Sequence, residues 1–189
     1  MPRRCLPAWL CMTTKGKSMD ILWAPWRMDY IKTSPKPEGC VFCQKLADTR
    51  DRDNLLLYRS NHAFVLMNPF PYNNGHLMVL PKEHRPDMDG LEDVVILDLM
   101  KTTQFCIGAL REAMNPEGFN MGINLGKVAG AGLADHLHLH IVPRWAGDAS
   151  FMTVVGEVKV IPDHITRTYD SLAEIFQKRG GKGAGSCEG

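Results

Sequence analysis

Three histidines alternate with aliphatic residues in the stretch Asp135-His136-Leu137-His138-Leu139-His140-Ile141-Val142-Pro143-Arg144-Trp145. Alternate side chains of an extended chain point the same way, so the spacing predicts a strand with three imidazoles on one face and Leu137, Leu139 and Ile141 on the other. Three readings fit that pattern. The rings can be exposed or core-satisfied histidines without a role. They can chelate zinc. Or one neutral imidazole can act as a nucleophile while its neighbours fix its tautomer and charge. A second cluster, Cys40-Val41-Phe42-Cys43, has the C-x-x-C spacing that lets two thiolates reach one tetrahedral zinc. A redox dithiol is the rival, but no strand precedes the pair as a thioredoxin-like site requires.

The elements that must position these groups are legible in outline. Leu55 to Arg59 and Ala63 to Met67 read as short strands joined by a turn at Ser60-Asn61, and His76 to Pro81 reads as a third. Between them, Asn68-Pro69-Phe70-Pro71-Tyr72-Asn73-Asn74-Gly75 is loop chemistry. Leu91 to Met114 is the longest helical pattern, with Leu91, Val95, Leu99, Cys106, Leu110 and Ala113 near one stripe, and Asn115-Pro116 stops it. Cys106 on that stripe reads as a small core residue. Phe119 to Asn124 alternates as a strand. The glycine-rich loop Gly126 to Gly132 that follows can turn backbone N–H groups toward a phosphate, with Lys127 nearby. Thr153 to Ile161 carries strand-like alternation, and Asp163 to Lys178 is a capped helix.

A chain of 189 residues, 44% of them apolar and 23% charged, is long enough for one well-packed domain. Its formal charge of +1 argues against a broad basic surface for nucleic acid or anionic membrane, and no apolar run reaches the length of a membrane span. Residues 1–18 carry no periodicity and are expected to be a dispensable, disordered extension, with Met19 a possible natural start. Residues 19–179 are expected to form the domain and 180–189 a flexible tail. Trp23 and Trp26 are expected to be buried anchors. Six cysteines are too few for a disulfide framework in a chain of this size, so a reducing cytoplasm is the expected compartment.

The stretch His136-Leu137-His138-Leu139-His140-Ile141-Val142 resembles the histidine triad (HIT) signature, His-φ-His-φ-His-φ-φ, of nucleotide hydrolases and transferases, and the following Pro143-Arg144 is also usual there. The segments from Met19 to Arg27 and from Pro143 to Pro162 resemble the diadenosine tetraphosphate phosphorylase branch of that family. The resemblance implies an α+β, HIT-like fold: a central, mainly antiparallel sheet with a long packed helix and a C-terminal helix. It implies that His138 is the nucleophile, that His140 and His136 assist it, and that His76 completes the site. It implies nucleotide binding by Asn68, Phe64, Asn124, Lys127, Gly130, Gly132 and His140, and a structural zinc on Cys40, Cys43, His84 and His136. His62 and His164 match no family position and are expected at the surface.

The expected activity is cleavage at the α-phosphate of adenine nucleotides or dinucleotides through a nucleotidyl-histidine, as a diadenosine polyphosphate phosphorylase or hydrolase. An adenosine phosphoramidate hydrolase, a non-catalytic nucleotide-binding or sensing module, and a zinc hydrolase with all three histidines on an open metal are the alternatives. A homodimer is expected by the same resemblance. The sequence departs from the family where Gly-Gln-Ser or Gly-Gln-Thr is usual. Gly132 and Leu133 occupy that region and the loop is one residue longer, so a side-chain donor to the leaving group is not carried over.

Overall fold

The structure, a computed structural model, describes residues 39–148 and 164–180. The expected N-terminal extension, Trp23 and Trp26, the strand expected over 153–161 and residues 181–189 lie outside the described residues. In chain order the elements are α1 (Val41–Ala47), α2 (Asp51–Asn54), β1 (Leu56–Arg59), β2 (Ala63–Met67), β3 (Leu77–Pro81), α3 (Asp93–Met114), β4 (Gly118–Ile123), a 3₁₀ turn (Lys127–Ala129), β5 (Leu139–Arg144) and α4 (Ile165–Gly180).

The five strands form one antiparallel sheet in the order β1-β2-β3-β5-β4. Strands β2 and β3 are apolar at every position and buried at every position, as strands covered on both faces must be. Strand alternation sorts their side chains. Ala63, Val65, Met67, Leu77 and Val79 join Ile141 under α3 and α4. Phe64, Leu66, Met78 and Leu80 face the other way and pack with Phe42 of α1. This second face carries the histidines, because Met78 of β3 and Gly122 of β4 stand opposite His140.

Helix α3 buries Val95, Leu99, Cys106, Ala109 and Leu110, which places the expected stripe on the sheet. Its end is set by Asn115, left-handed at φ 45°, whose N–H returns to the Arg111 carbonyl before Pro116 precludes a further turn. Helix α4 docks through Tyr169, Leu172 and Phe176, and the Tyr169 hydroxyl donates to the Leu56 carbonyl at 2.8 Å.

One expectation is corrected. The paired strand does not begin at His136 but at Leu139. Continuing the β3·β5 register would set Pro81 opposite Leu137, yet proline has no N–H to offer. The Pro81 carbonyl instead lies 2.9 Å from Nε2 of His136, and the Leu137 N–H bonds to the Arg85 carbonyl. Alternation nonetheless survives without the ladder. Leu137 lies in the first core, while His136 and His138 meet the Phe42 ring on the other face. The short helix α1, which carries Cys43 one turn after Cys40, was not legible as a helix in its sequence.

Candidate active site and metal centre

The histidine face divides into three connected parts. The first is a cluster of four ligating atoms. Cys40 Sγ lies 3.3 Å and Cys43 Sγ 3.6 Å from His136 Nδ1; His84 Nδ1 lies 3.5 Å from Cys43 Sγ and 3.4 Å from His136 Nδ1. All four atoms are within 4.8 Å of one another, so these residues can hold a metal ion. A tetrahedral ion with arms of about 2.0–2.3 Å needs ligand separations of about 3.3–3.8 Å, which matches these contacts. The donor set fits too. His136 donates from Nε2–H to the Pro81 carbonyl, so its Nδ1 presents a lone pair to the cluster. Burial holds the His136 imidazole below its ordinary pKa, and burial with the adjacent Cys40 pushes the Cys43 thiol up. A cation at the centre is what lets these ligands share one point.

The second part is His138, buried at 5% exposure. Its Nδ1 lies 2.8 Å from the His136 carbonyl oxygen, which can only accept, so Nδ1 carries the proton and Nε2 carries the lone pair. Burial lowers the His138 pKa, although the same backbone bond opposes the shift. A neutral ring with its lone pair on Nε2 is the form that can attack an electrophile. Phe42, 5.4 Å away between ring centroids, walls it on one side.

The third part is the His76–His140 pair. The backbone N–H of Tyr72 donates to His76 Nδ1 at 3.0 Å, so the His76 proton sits on Nε2. That nitrogen is 2.9 Å from His140 Nδ1, which must accept; a neutral His140 therefore carries its proton on Nε2, as a donor. His138 and His140 meet edge to face at 4.8 Å. One ring offers a lone pair and the next a proton, on the same sheet face. The three histidines have three different partners, which argues against all of them surrounding one open metal.

The remaining expected site residues are not all alike. Asn68 is half-buried behind His76: its Oδ1 accepts from the Phe70 N–H and its Nδ2 lies 3.4 Å from His76 Nδ1. Phe64 is fully buried and packs edge-on to His136 at 6.2 Å, beneath the metal cluster. Asn124, Lys127, Gly130 and Gly132 lie along the loop before the triad, where the N–H of Gly130 bonds to Lys127 O and that of Ala131 to Gly126 O. Those two donors serve the loop's own turn. His164 is exposed, as expected, whereas His62 is half-buried.

Sequence reasoning missed four contributors: Phe42, Tyr72, the Pro81 carbonyl, and a polar clamp at the end of β5. In the clamp Asp148 receives Arg144, the Trp145 N–H and Asn73, and Asn73 also holds the Pro143 carbonyl. Arg144 keeps the Asp148 carboxyl down at about 2. An aromatic inside the C-x-x-C and another four residues before His76 were the available signals, but periodicity does not reveal which ring a side chain meets.

The HIT domain family model matches residues 49–147. An AP-4-A phosphorylase of Mycobacterium tuberculosis is 38% identical over 165 residues, covering 84% of this chain and 85% of its own. An uncharacterized HIT-like protein of Methanocaldococcus jannaschii is 30% identical over 64% of this chain and 89% of its own. Among solved structures, a Zn-bound histidine triad family protein from Mycobacterium smegmatis aligns with a TM-score of 0.61 at 26% identity, over 76% of this chain and 97% of that one.

Proposed function

The chain belongs to the HIT family, and we propose that it is a nucleotidyl hydrolase or transferase that cleaves diadenosine tetraphosphate or a similar adenine nucleotide at the α-phosphate. One observation carries this reading: the His136 carbonyl holds the His138 proton on Nδ1, which leaves Nε2 as the nucleophile. Nε2 attacks the α-phosphorus in line, a P–N bond forms, and the P–O bond to the leaving phosphate chain breaks with its electron pair going to that oxygen. Nε2–H of His140 donates to the charge on the phosphoryl oxygens. An acceptor oxygen then attacks the same phosphorus, and the P–N bond breaks to restore the imidazole.

Zinc is the metal we assign to the four-ligand cluster, where it supplies structure because four protein ligands leave no open position. The homodimer implied by the family belongs to the same reading. The mycobacterial relative favours phosphate over water as acceptor. The loop offers less support for a phosphate pocket than its composition promised, since two of its N–H groups are turned inward.

The test is trapping. Brief reaction with diadenosine tetraphosphate, followed by denaturation and mass spectrometry, should find the nucleotidyl group on His138, and His138→Asn should lack both adduct and turnover. Turnover retained in that variant removes His138 from the role. Labelled phosphate appearing in ADP identifies phosphorolysis, and AMP without label in ADP identifies hydrolysis.

A further inference from the structure

Tyr72 stands in a loop rich in proline and asparagine, and it is still 39% exposed, yet both its backbone and its ring are engaged with the histidines. Its N–H donates to His76 Nδ1 at 3.0 Å. Its ring lies 4.7 Å from the His76 ring at an interplanar angle of 32°, and 5.8 Å from the His140 ring at 38°. His76 is fully buried, so its bond to His140 is closed on the loop side by this aromatic face.

We propose that Tyr72 is a positioning residue. Its N–H and its ring together hold the His76–His140 pair in the single proton arrangement that presents Nε2–H of His140 to the substrate.

The chemistry follows from what each half of the residue can do. A backbone N–H can only donate, so it excludes the His76 tautomer with a proton on Nδ1. That exclusion passes through the 2.9 Å bond to His140, whose two tautomers otherwise lie close in energy. The ring restricts the tilt of both imidazoles and keeps water from competing for the bond between them. Tyr72 thus acts through His140 and not on the reacting atoms. The kinetic part of this inference rests on the activity proposed above; the proton arrangement does not.

The experiment uses the full-length, metal-loaded protein with imidazole nitrogens labelled with ¹⁵N, together with Tyr72→Leu and Tyr72→Phe. Leucine fills much of the space without an aromatic face, and phenylalanine keeps that face. In the wild type, His140 should give the shifts of a single Nε2–H tautomer. Tyr72→Leu keeps the backbone N–H and so should keep that tautomer, but without the ring its His76 Nε2–H should exchange faster with solvent and its kcat on diadenosine tetraphosphate should be lower by about tenfold, with KM changed less than about twofold; Tyr72→Phe should restore both. A wild-type His140 protonated on Nδ1 overturns the proposal, and so does an unchanged solvent exchange of the His76 Nε2–H in Tyr72→Leu. A raised KM with unchanged kcat also overturns it, because the ring would then be a substrate contact. If the wild type turns over no nucleotide, the proposed activity fails while the His140 tautomer and the solvent exchange of the His76 Nε2–H still decide the role of Tyr72.

Discussion

Nδ1 of His138 lies 2.8 Å from the carbonyl oxygen of His136, while the His136 side chain turns its own Nδ1 to Cys40, Cys43 and His84. A single residue therefore joins by its side chain the cluster that can hold a metal and orients the proposed nucleophile by its backbone. The cluster and the proposed nucleophile are separate sites joined by two residues of chain.

Removing a ligand should accordingly affect stability before chemistry. Cys43→Ser is expected to lose bound zinc by elemental analysis and to lower the unfolding midpoint by at least about 10 °C. Assayed below its own midpoint, the variant should keep a measurable fraction of turnover. Complete loss in protein that is still folded would place the metal in the reaction itself.

Phe42 is 5% exposed and its ring meets both His136 and His138. Phe42→Ala should cost about 3–5 kcal/mol of folding free energy by denaturant titration, because the cavity adds to the lost transfer term. It should also weaken metal retention, since the ring between the two sites no longer fixes either imidazole. Unchanged stability and metal content would show that the ring is not a support.

The last residue of the loop before His76 is Gly75, left-handed at φ +73°, and a Cβ there would stand 2.5 Å from the Met114 Sδ and 3.3 Å from Leu110. Gly75→Ala is expected to cost about 1–3 kcal/mol through backbone conformation and overpacking together. Because the strain sits next to His76, kcat should fall as well. A variant as stable and as active as the wild type would mean that the loop shifts without disturbing the pair.

The Asp148 carboxyl, held down from 3.8 to about 2 chiefly by Arg144, ties β5 to the loop through Asn73. A group whose folded pKa is depressed contributes stability that is complete above its unfolded pKa and is lost as pH falls toward the folded one. The difference in unfolding midpoint between wild type and Asp148→Asn should therefore be constant above about pH 5 and shrink between about pH 4 and pH 2. A difference that does not vary with pH would separate the clamp's contribution from its charge.

The alternation of His136, His138 and His140 with aliphatic residues put the rings on one face whether or not a ladder formed, because period two belongs to any extended chain. The apolar runs at Ala63–Met67 and Leu77–Pro81 and the stripe on α3 likewise fixed the sheet's central strands and its helical cover. The C-x-x-C announced by spacing alone two of the four residues that can hold a metal ion.

What local pattern does not contain is the meeting of residues far apart in the chain. Cys40 reaches His136 across 96 positions because α1 packs Phe42 on the second face of the sheet, and His76 reaches His140 across 64 because β3 pairs with β5. Tertiary structure also decided the proton positions. Each tautomer is set by one carbonyl or N–H of the surrounding backbone, at His136, Pro81 or Tyr72, and a backbone group's direction is not encoded in its side chain. The sequence by itself determined that three imidazoles share a face; the fold decided that one presents a lone pair, one a proton and one a nitrogen able to ligate a metal, because hydrogen bonds to backbone, direct or passed through His76, leave each ring a single arrangement.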